Sequence, residues 1–365
     1  MSPCTSPRTT DSHHVTPRNV TRRQIMLRSA TARAAEDQAA TPVACTTMEE
    51  RLVGATGLRV SAVGLGTLTW SRDTDEHEAA EQLRDFVDAG GTLLDTAASY
   101  ADGAAEELIG HLLRTTVPRD DVVLCTKAGV RHGAGGRVVD ASRGALLSSL
   151  DGSLERLGTD HVDLWLVQTP DPRTPLAETV GALEHALGSG RARYVGLSNH
   201  AGWQTARAAT LLGPGRLAAV EVEYSLLQRG VEREVLPAAT DLGVGVLAWS
   251  PLGRGVLTGK YRRSVPADSR AASAHLAGFV EPYLGRDAGP VVEALVTAAE
   301  GLQRTPLEVA LGWVLGRPQV ASAVVGARTA AQLRAALTAQ TALPEAITAA
   351  LDEVSAPAVG YPERR

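Results

Sequence analysis

The chain reads as an α/β protein, one closed (β/α)8 TIM-type barrel entered through an N-terminal β-hairpin. Three observations predict this. Short apolar runs recur about every 30 residues, each followed by an amphipathic stretch long enough for a helix, which is the period of a βα unit. The runs follow one another without the change of composition that would announce a second domain. Finally, polar residues sit at or just beyond the ends of these runs: Thr67, Asp95, Lys127, Gln168, Asn199, Tyr224 and Ser250. In a barrel the strand C-termini converge on one face, where the loops build an active site, whereas random placement would scatter polar groups to both ends.

In chain order, residues 51–54 and 58–61 flank Ala55, Thr56 and Gly57 and predict the hairpin. Barrel strands are expected over 62–66, 92–95, 122–127, 162–168, 192–198, 218–223, 245–249 and 321–325. Helices are expected between them, among others over 76–89, 106–113, 143–157 and 176–188. An open doubly wound sheet is the alternative. Against it, the first strand–helix turn carries Gly64 and Gly66 but lacks the third glycine of a dinucleotide fingerprint.

The 365 residues are 44% hydrophobic, enough for a large core, and the net charge of −5 offers no basic surplus for nucleic acid or a membrane surface. No apolar run approaches the roughly 18 residues that a transmembrane helix needs. Cys4, Cys45 and Cys125 are odd in number and far apart, which suggests neither a disulfide framework nor a metal site and fits a reducing cytoplasm. Residues 1–47 are rich in Thr, Ser, Arg and Pro without period and read as a disordered tail, with Met48 a candidate start. Arg22 and Arg23 suggest an export signal, but Arg28, Arg33, Glu36 and Asp37 interrupt any apolar region after them. The barrel is expected over 48–355 and a short tail over 356–365.

One stretch organises the chemistry. The apolar pair Leu93 and Leu94 runs into Asp95, Tyr100 follows in the loop, and the next strand ends on Thr126 and Lys127. A free tyrosine, pKa about 10, is a sluggish acid at neutral pH. A nearby ammonium lowers that pKa, and a carboxylate fixes the ammonium in place. Asp95, Tyr100 and Lys127 suit those roles.

Residues 90–100, from Gly90 through Asp95 to Tyr100, resemble the signature of the aldo-keto reductases, near the branch that includes potassium-channel β subunits and aryl-aldehyde reductases. The resemblance runs in order over residues 50–352. It implies NADPH-dependent reduction of a small aldehyde or ketone, with Tyr100 as proton donor supported by Lys127 and Asp95, and no metal. Gln168 stands where most similar reductases have a histidine that orients the substrate carbonyl. Its amide can still donate a hydrogen bond, but with different reach. Gln168 leaves three outcomes open: carbonyl reduction, reduction of a conjugated C=C bond, or a feebly catalytic cofactor-sensing protein. His161 lies at the wrong end of its strand to substitute for a histidine there, and His200 lies at the right end.

The resemblance also implies a cofactor site. Thr67 and Asp95 join it, and Ser198 and Asn199 hold the nicotinamide carboxamide. Glu221 takes the place of a glutamine and Tyr224 stacks on the ring. Ser250, Pro251, Leu252, Gly253, Arg254 and Lys260 form the pyrophosphate loop. Gly326, Arg328 and Gln332 take the adenosine end, where Arg328 pairs with a 2′-phosphate and favours NADPH over NADH. Ala336 occupies a place where an adenine-contacting asparagine is common. Residues 261–290 read as a lid, and Trp70, Trp203 and Phe279 are candidates to line a substrate pocket. The substrate is not legible beyond a small carbonyl or enone compound, and self-association stays open.

Overall fold

The N-terminal hairpin pairs β1 (Glu50–Leu52) antiparallel with β2 (Arg59–Ser61) and lies across one end of a closed ring of strands. The structure is a computed structural model that describes residues 48–360 except Ala134, Asp268, Ala274, Arg286, Gln340, Thr341 and Val359. The tail read over 1–47 therefore lies outside the described residues, as do residues 361–365. The ring begins with β3 (Val63–Gly66), β4 (Leu93–Asp95) and β5 (Val123–Ala128). A second antiparallel hairpin, β6 (Val130–Gly133) and β7 (Gly136–Val139), is inserted next. The ring then resumes with β8 (Val162–Val167), β9 (Ala192–Ser198), β10 (Leu217–Glu223), β11 (Gly245–Trp249) and β12 (Val320–Gly326).

All neighbours in the ring are parallel, and β12 pairs with β3 to close it. Each expected barrel strand is present, with its ends displaced by no more than one residue. The β6–β7 hairpin was not anticipated: its short, glycine-flanked strands carry too little apolar alternation to stand out.

Strand alternation decides what faces the lumen. Leu93, Cys125, Leu164, Leu166, Ala219 and Leu247 pack together inside the barrel, whereas Leu94, Leu124, Trp165, Val167, Val220 and Val246 pack against the helices. Two residues beyond a luminal apolar residue comes a luminal polar one: Asp95 after Leu93, Lys127 after Cys125, Gln168 after Leu166 and Glu221 after Ala219. The same period that fills the core thus carries the polar groups to the C-terminal mouth. At the opposite end, Val53, Leu58 and Val60 of the hairpin join the luminal cluster and plug it. A Cβ on Gly54 would lie 2.3 Å from the Gly243 carbonyl oxygen, so the hairpin seats only because that position lacks a side chain.

The helices obey local rules. Asp75 caps the helix Glu76–Asp88 by accepting from the Glu78 amide. Thr305 and Glu308 form a reciprocal capping box ahead of Pro306–Leu315. No helix among the described residues is long and apolar enough to cross a membrane.

Candidate active site

A cleft of about 540 Å³ opens at the C-terminal mouth of the barrel, a size that suits a small-molecule site. At its base Lys127 Nζ donates to Asp95 Oδ1 at 2.6 Å, to Oδ2 at 2.7 Å and to the Thr96 carbonyl oxygen at 2.9 Å. Both side chains are buried. The ammonium lies 5.4 Å from the centre of the Tyr100 ring, and Tyr100 lines the cleft from the turn after β4. Glu221 closes the group from β10, with Oε2 3.3 Å from Lys127 Nζ but without a hydrogen-bond partner among the described residues.

These charges govern one another's protonation. Burial opposes the charge on Lys127, but Asp95 and Glu221 outweigh it and hold the ammonium well above the usual lysine range. Burial, reinforced by Asp95, pushes the Glu221 carboxyl up to about 8 against the pull of Lys127. For Tyr100 the outcome differs from the expectation drawn from sequence. Burial raises the phenol, and the Lys127 ammonium, opposed by Asp95 and Glu221, does not bring it down to its ordinary value. Tyr100 is therefore protonated across the physiological range.

Gln168 follows β8 directly and lines the cleft. Its Oε1 accepts from Ser99 Oγ at 3.0 Å, which leaves the amide nitrogen as the end without that partner. Ser99 escaped the sequence reading because a serine one residue before Tyr100 has no motif value of its own. His200 does not substitute: it is buried, and its Nδ1 is engaged with the Ser198 carbonyl oxygen at 2.8 Å, away from the cleft. His161 lies just before the start of β8, beside Asp160.

Most residues assigned to the cofactor line this cleft, among them Thr67, Ser198, Asn199, Ser250, Pro251 and Leu252. Thr67 donates to the Asp95 carbonyl oxygen at 2.9 Å and ties β3 to β4 at the mouth. Asn199, at φ 60°, is a hub: its amide nitrogen donates to the Gln168 carbonyl oxygen and to Ser198 Oγ, and its oxygen accepts from Trp249 Nε1. Asn199 and Ser250, at φ 52°, both turn through the left-handed region immediately after a strand, where non-glycine residues are uncommon.

Tyr224 needs correction. It is buried outside the cleft, edge-on to Trp313 with its hydroxyl 2.7 Å from Glu232, because one residue past Glu223 the alternation turns it toward the helical layer. Trp249, at the C-terminal end of β11, does line the cleft, with Tyr100 and Phe279. Gly253 sits inside the following turn and not on the cleft wall, its amide donating to the Ser250 carbonyl oxygen. Arg254 lines the cleft but is paired with Glu223 at 2.7 Å and stacked 3.9 Å from the Phe279 ring centre. Lys260 also lines it, and no carboxylate pairs with it among the described residues.

At the far end are Gly326, Arg328 and Gln332, with the Arg328 amide donating to Gln332 Oε1 at 3.1 Å. Ala335 lines the cleft there, whereas Ala336 is buried in the core. Arg270, absent from the sequence reading, lines the same end. Its guanidinium donates to the Gly326 carbonyl oxygen at 2.8 Å and forms no ion pair among the described residues. Burial, with Arg328 nearby, lowers its pKa from the ordinary arginine value. A basic residue in a stretch without period gave no sign of this placement. Of the proposed pocket aromatics, Phe279 lines the cleft, Trp70 is core with its indole on Gln82, and Trp203 is exposed to solvent. No cluster of His, Cys, Asp and Glu able to hold a metal ion occurs among the described residues.

A closed parallel barrel whose mouth gathers tyrosine, lysine and aspartate beside an elongated cleft defines a class of barrel oxidoreductases. The chain belongs to the aldo/keto reductase family, whose model matches residues 62–356. An uncharacterized oxidoreductase of Bacillus subtilis, YrpG, is 37% identical over 299 residues, covering 79% of this chain and 89% of the relative. A probable voltage-gated potassium channel subunit beta of Oryza sativa is 34% identical over 327 residues, 87% of this chain and 98% of the relative. An L-glyceraldehyde 3-phosphate reductase of Escherichia coli is 35% identical over 298 residues, 78% of this chain and 86% of the relative. The protein is an oxidoreductase of this family.

Proposed function

We propose that the protein reduces a small aldehyde or ketone to the alcohol with NADPH, Tyr100 supplying the proton. The observation that carries this reading is the juxtaposition of Tyr100 with the buried Lys127–Asp95 pair at the base of the cleft. The residues present fit a dinucleotide phosphate. Arg270 and Arg328 bring two cations to one end, and Glu221 Oε2, held only by its 3.3 Å ion pair with Lys127, offers a polar partner at the other. Bound there, the reduced nicotinamide supplies hydride.

The chain's own groups supply the rest. Tyr100, held protonated, donates to the oxygen that gains charge as the carbonyl is reduced, and Lys127 stabilises the phenolate left behind. Asp95 anchors Lys127 so that the ammonium need not reorganise. The Gln168 amide nitrogen donates to the substrate carbonyl, its orientation set by Ser99. The name of the Escherichia coli relative, a reductase of a small aldehyde, supports the substrate class.

Product analysis with NADPH and an α,β-unsaturated aldehyde tests the proposal. It predicts the allylic alcohol. The saturated aldehyde would instead mean that the site reduces conjugated C=C bonds, and bound but unconsumed NADPH would mean a cofactor sensor.

A further inference from the structure

Glu221 is a buried carboxyl to which the mechanism above gives a contact with the cofactor but no part in the proton transfer. It lines the cleft beside the Tyr100–Lys127–Asp95 group, and its Oε2 lacks a hydrogen-bond partner among the described residues. The groups that face it are Asp95 from β4, Lys127 and Cys125 from β5, and Tyr100 from the following turn. Ser198 of β9 and Leu247 of β11 are its register neighbours. Lys127 is the one cation among these groups, and the two carboxyls share it: Asp95 meets it with both oxygens, at 2.6 and 2.7 Å, while Glu221 Oε2 lies farther off at 3.3 Å.

The charge count is informative. With Glu221 ionised, the buried group of Asp95, Lys127 and Glu221 carries one net negative charge, which a cationic ring would neutralise. With Glu221 protonated the group is neutral, and a neutral ring suits it. The nicotinamide ring is cationic when oxidised and neutral when reduced. Resting on the cofactor reading above, we propose that Glu221 makes the site discriminate between the two redox states of NADP, gripping the oxidised form more tightly, relative to the reduced form, as the pH rises. A neutral glutamine at this position could not do so.

The sign follows from linkage. Binding the cationic ring favours the ionised carboxyl and releases a proton, so its affinity gains with pH as Glu221 ionises near 8. The 2′-phosphate is common to both forms and cancels in their ratio.

The test is equilibrium titration of the full chain, wild type and Glu221→Gln, separately with NADP⁺ and NADPH, followed by tryptophan fluorescence between about pH 6 and about pH 9.5. In wild type, the ratio of the NADPH to the NADP⁺ dissociation constant should rise about tenfold or more across that range. In Glu221→Gln it should be flat and displaced toward NADPH. An unchanging ratio in wild type, readable even if the variant fails to fold, would overturn the inference while leaving the proposed reduction intact. So would a rise that the variant reproduces. Failure of wild type to bind either form would remove the cofactor reading itself.

Discussion

Lys127 has three ammonium protons and, around them, two carboxyl groups and the Thr96 carbonyl oxygen. In the proposed reduction, an ammonium so held would support Tyr100 by stabilising the phenolate left after proton transfer, because burial keeps the resting phenol protonated. A proton donor that is fully charged with its proton yet weak at rest gains from a fixed cation beside it. Gln168 depends on its neighbour in the same manner. Replacing Ser99 by alanine removes the donor to Oε1 and lets the amide rotate. Ser99→Ala should lower kcat about three- to tenfold, with cofactor affinity unchanged. Steady-state kinetics beside direct cofactor titration checks this, and a loss confined to cofactor binding would refute the assigned role.

At the scale of elements, the luminal row of each strand explains why the candidate catalytic residues were legible. Leu93 and Asp95, or Cys125 and Lys127, are two residues apart, so a strand long enough to fill the core must deliver its next luminal side chain to the mouth. The same rule explains the error over Tyr224, which belongs to the other face of its strand, and the missed Trp249, whose luminal register passes for core. Residues 261–290, read from sequence as a lid, obey no such period. Their placement comes from long-range polar contacts: Arg270 on the Gly326 carbonyl oxygen, His275 on Asp73 at 2.9 Å, and Arg254 on the Phe279 carbonyl oxygen. Such pairings join residues up to 202 positions apart and leave no local trace. Because Arg270 has no ion-pair partner among the described residues and lies at the proposed adenosine end, Arg270→Ala should weaken NADPH binding roughly ten- to a hundredfold and NADH binding far less. Parallel titrations with the two cofactors read this out, and equal losses would contradict a 2′-phosphate contact.

Across the whole molecule, the hairpin seals one end of the barrel, the helices bury its flanks, and the mouth gathers Asp95, Tyr100, Lys127, Gln168 and Glu221 around the cleft. The ring of eight strands was legible because each βα unit repeats one apolar period, whereas the β6–β7 hairpin and residues 261–290 depart from it. Concentrating charge in a buried mouth has a consequence for stability. The Glu221 carboxyl lies near 8 in the folded chain but near the ordinary value of 4.5 once unfolded. Its contribution is present in full below the unfolded value and is lost as pH rises through the folded one. Glu221→Gln, which cannot ionise, should match the wild-type melting temperature near pH 4.5 and exceed it by several degrees, on the order of 3 °C, above about pH 8. A gap that narrows as pH rises would contradict the protonation assigned to Glu221.

The most direct measurement is a single turnover. Protein saturated with NADPH is mixed with a reactive aromatic aldehyde, and loss of the reduced-nicotinamide absorbance is followed for wild type and for Tyr100→Phe. The account predicts oxidation of the bound NADPH in wild type, slowed about 10²- to 10⁴-fold by the substitution, with NADPH affinity preserved. Equal rates in the two proteins would show that Tyr100 is not the proton donor, and bound NADPH left unreacted by wild type would contradict carbonyl reduction at this site.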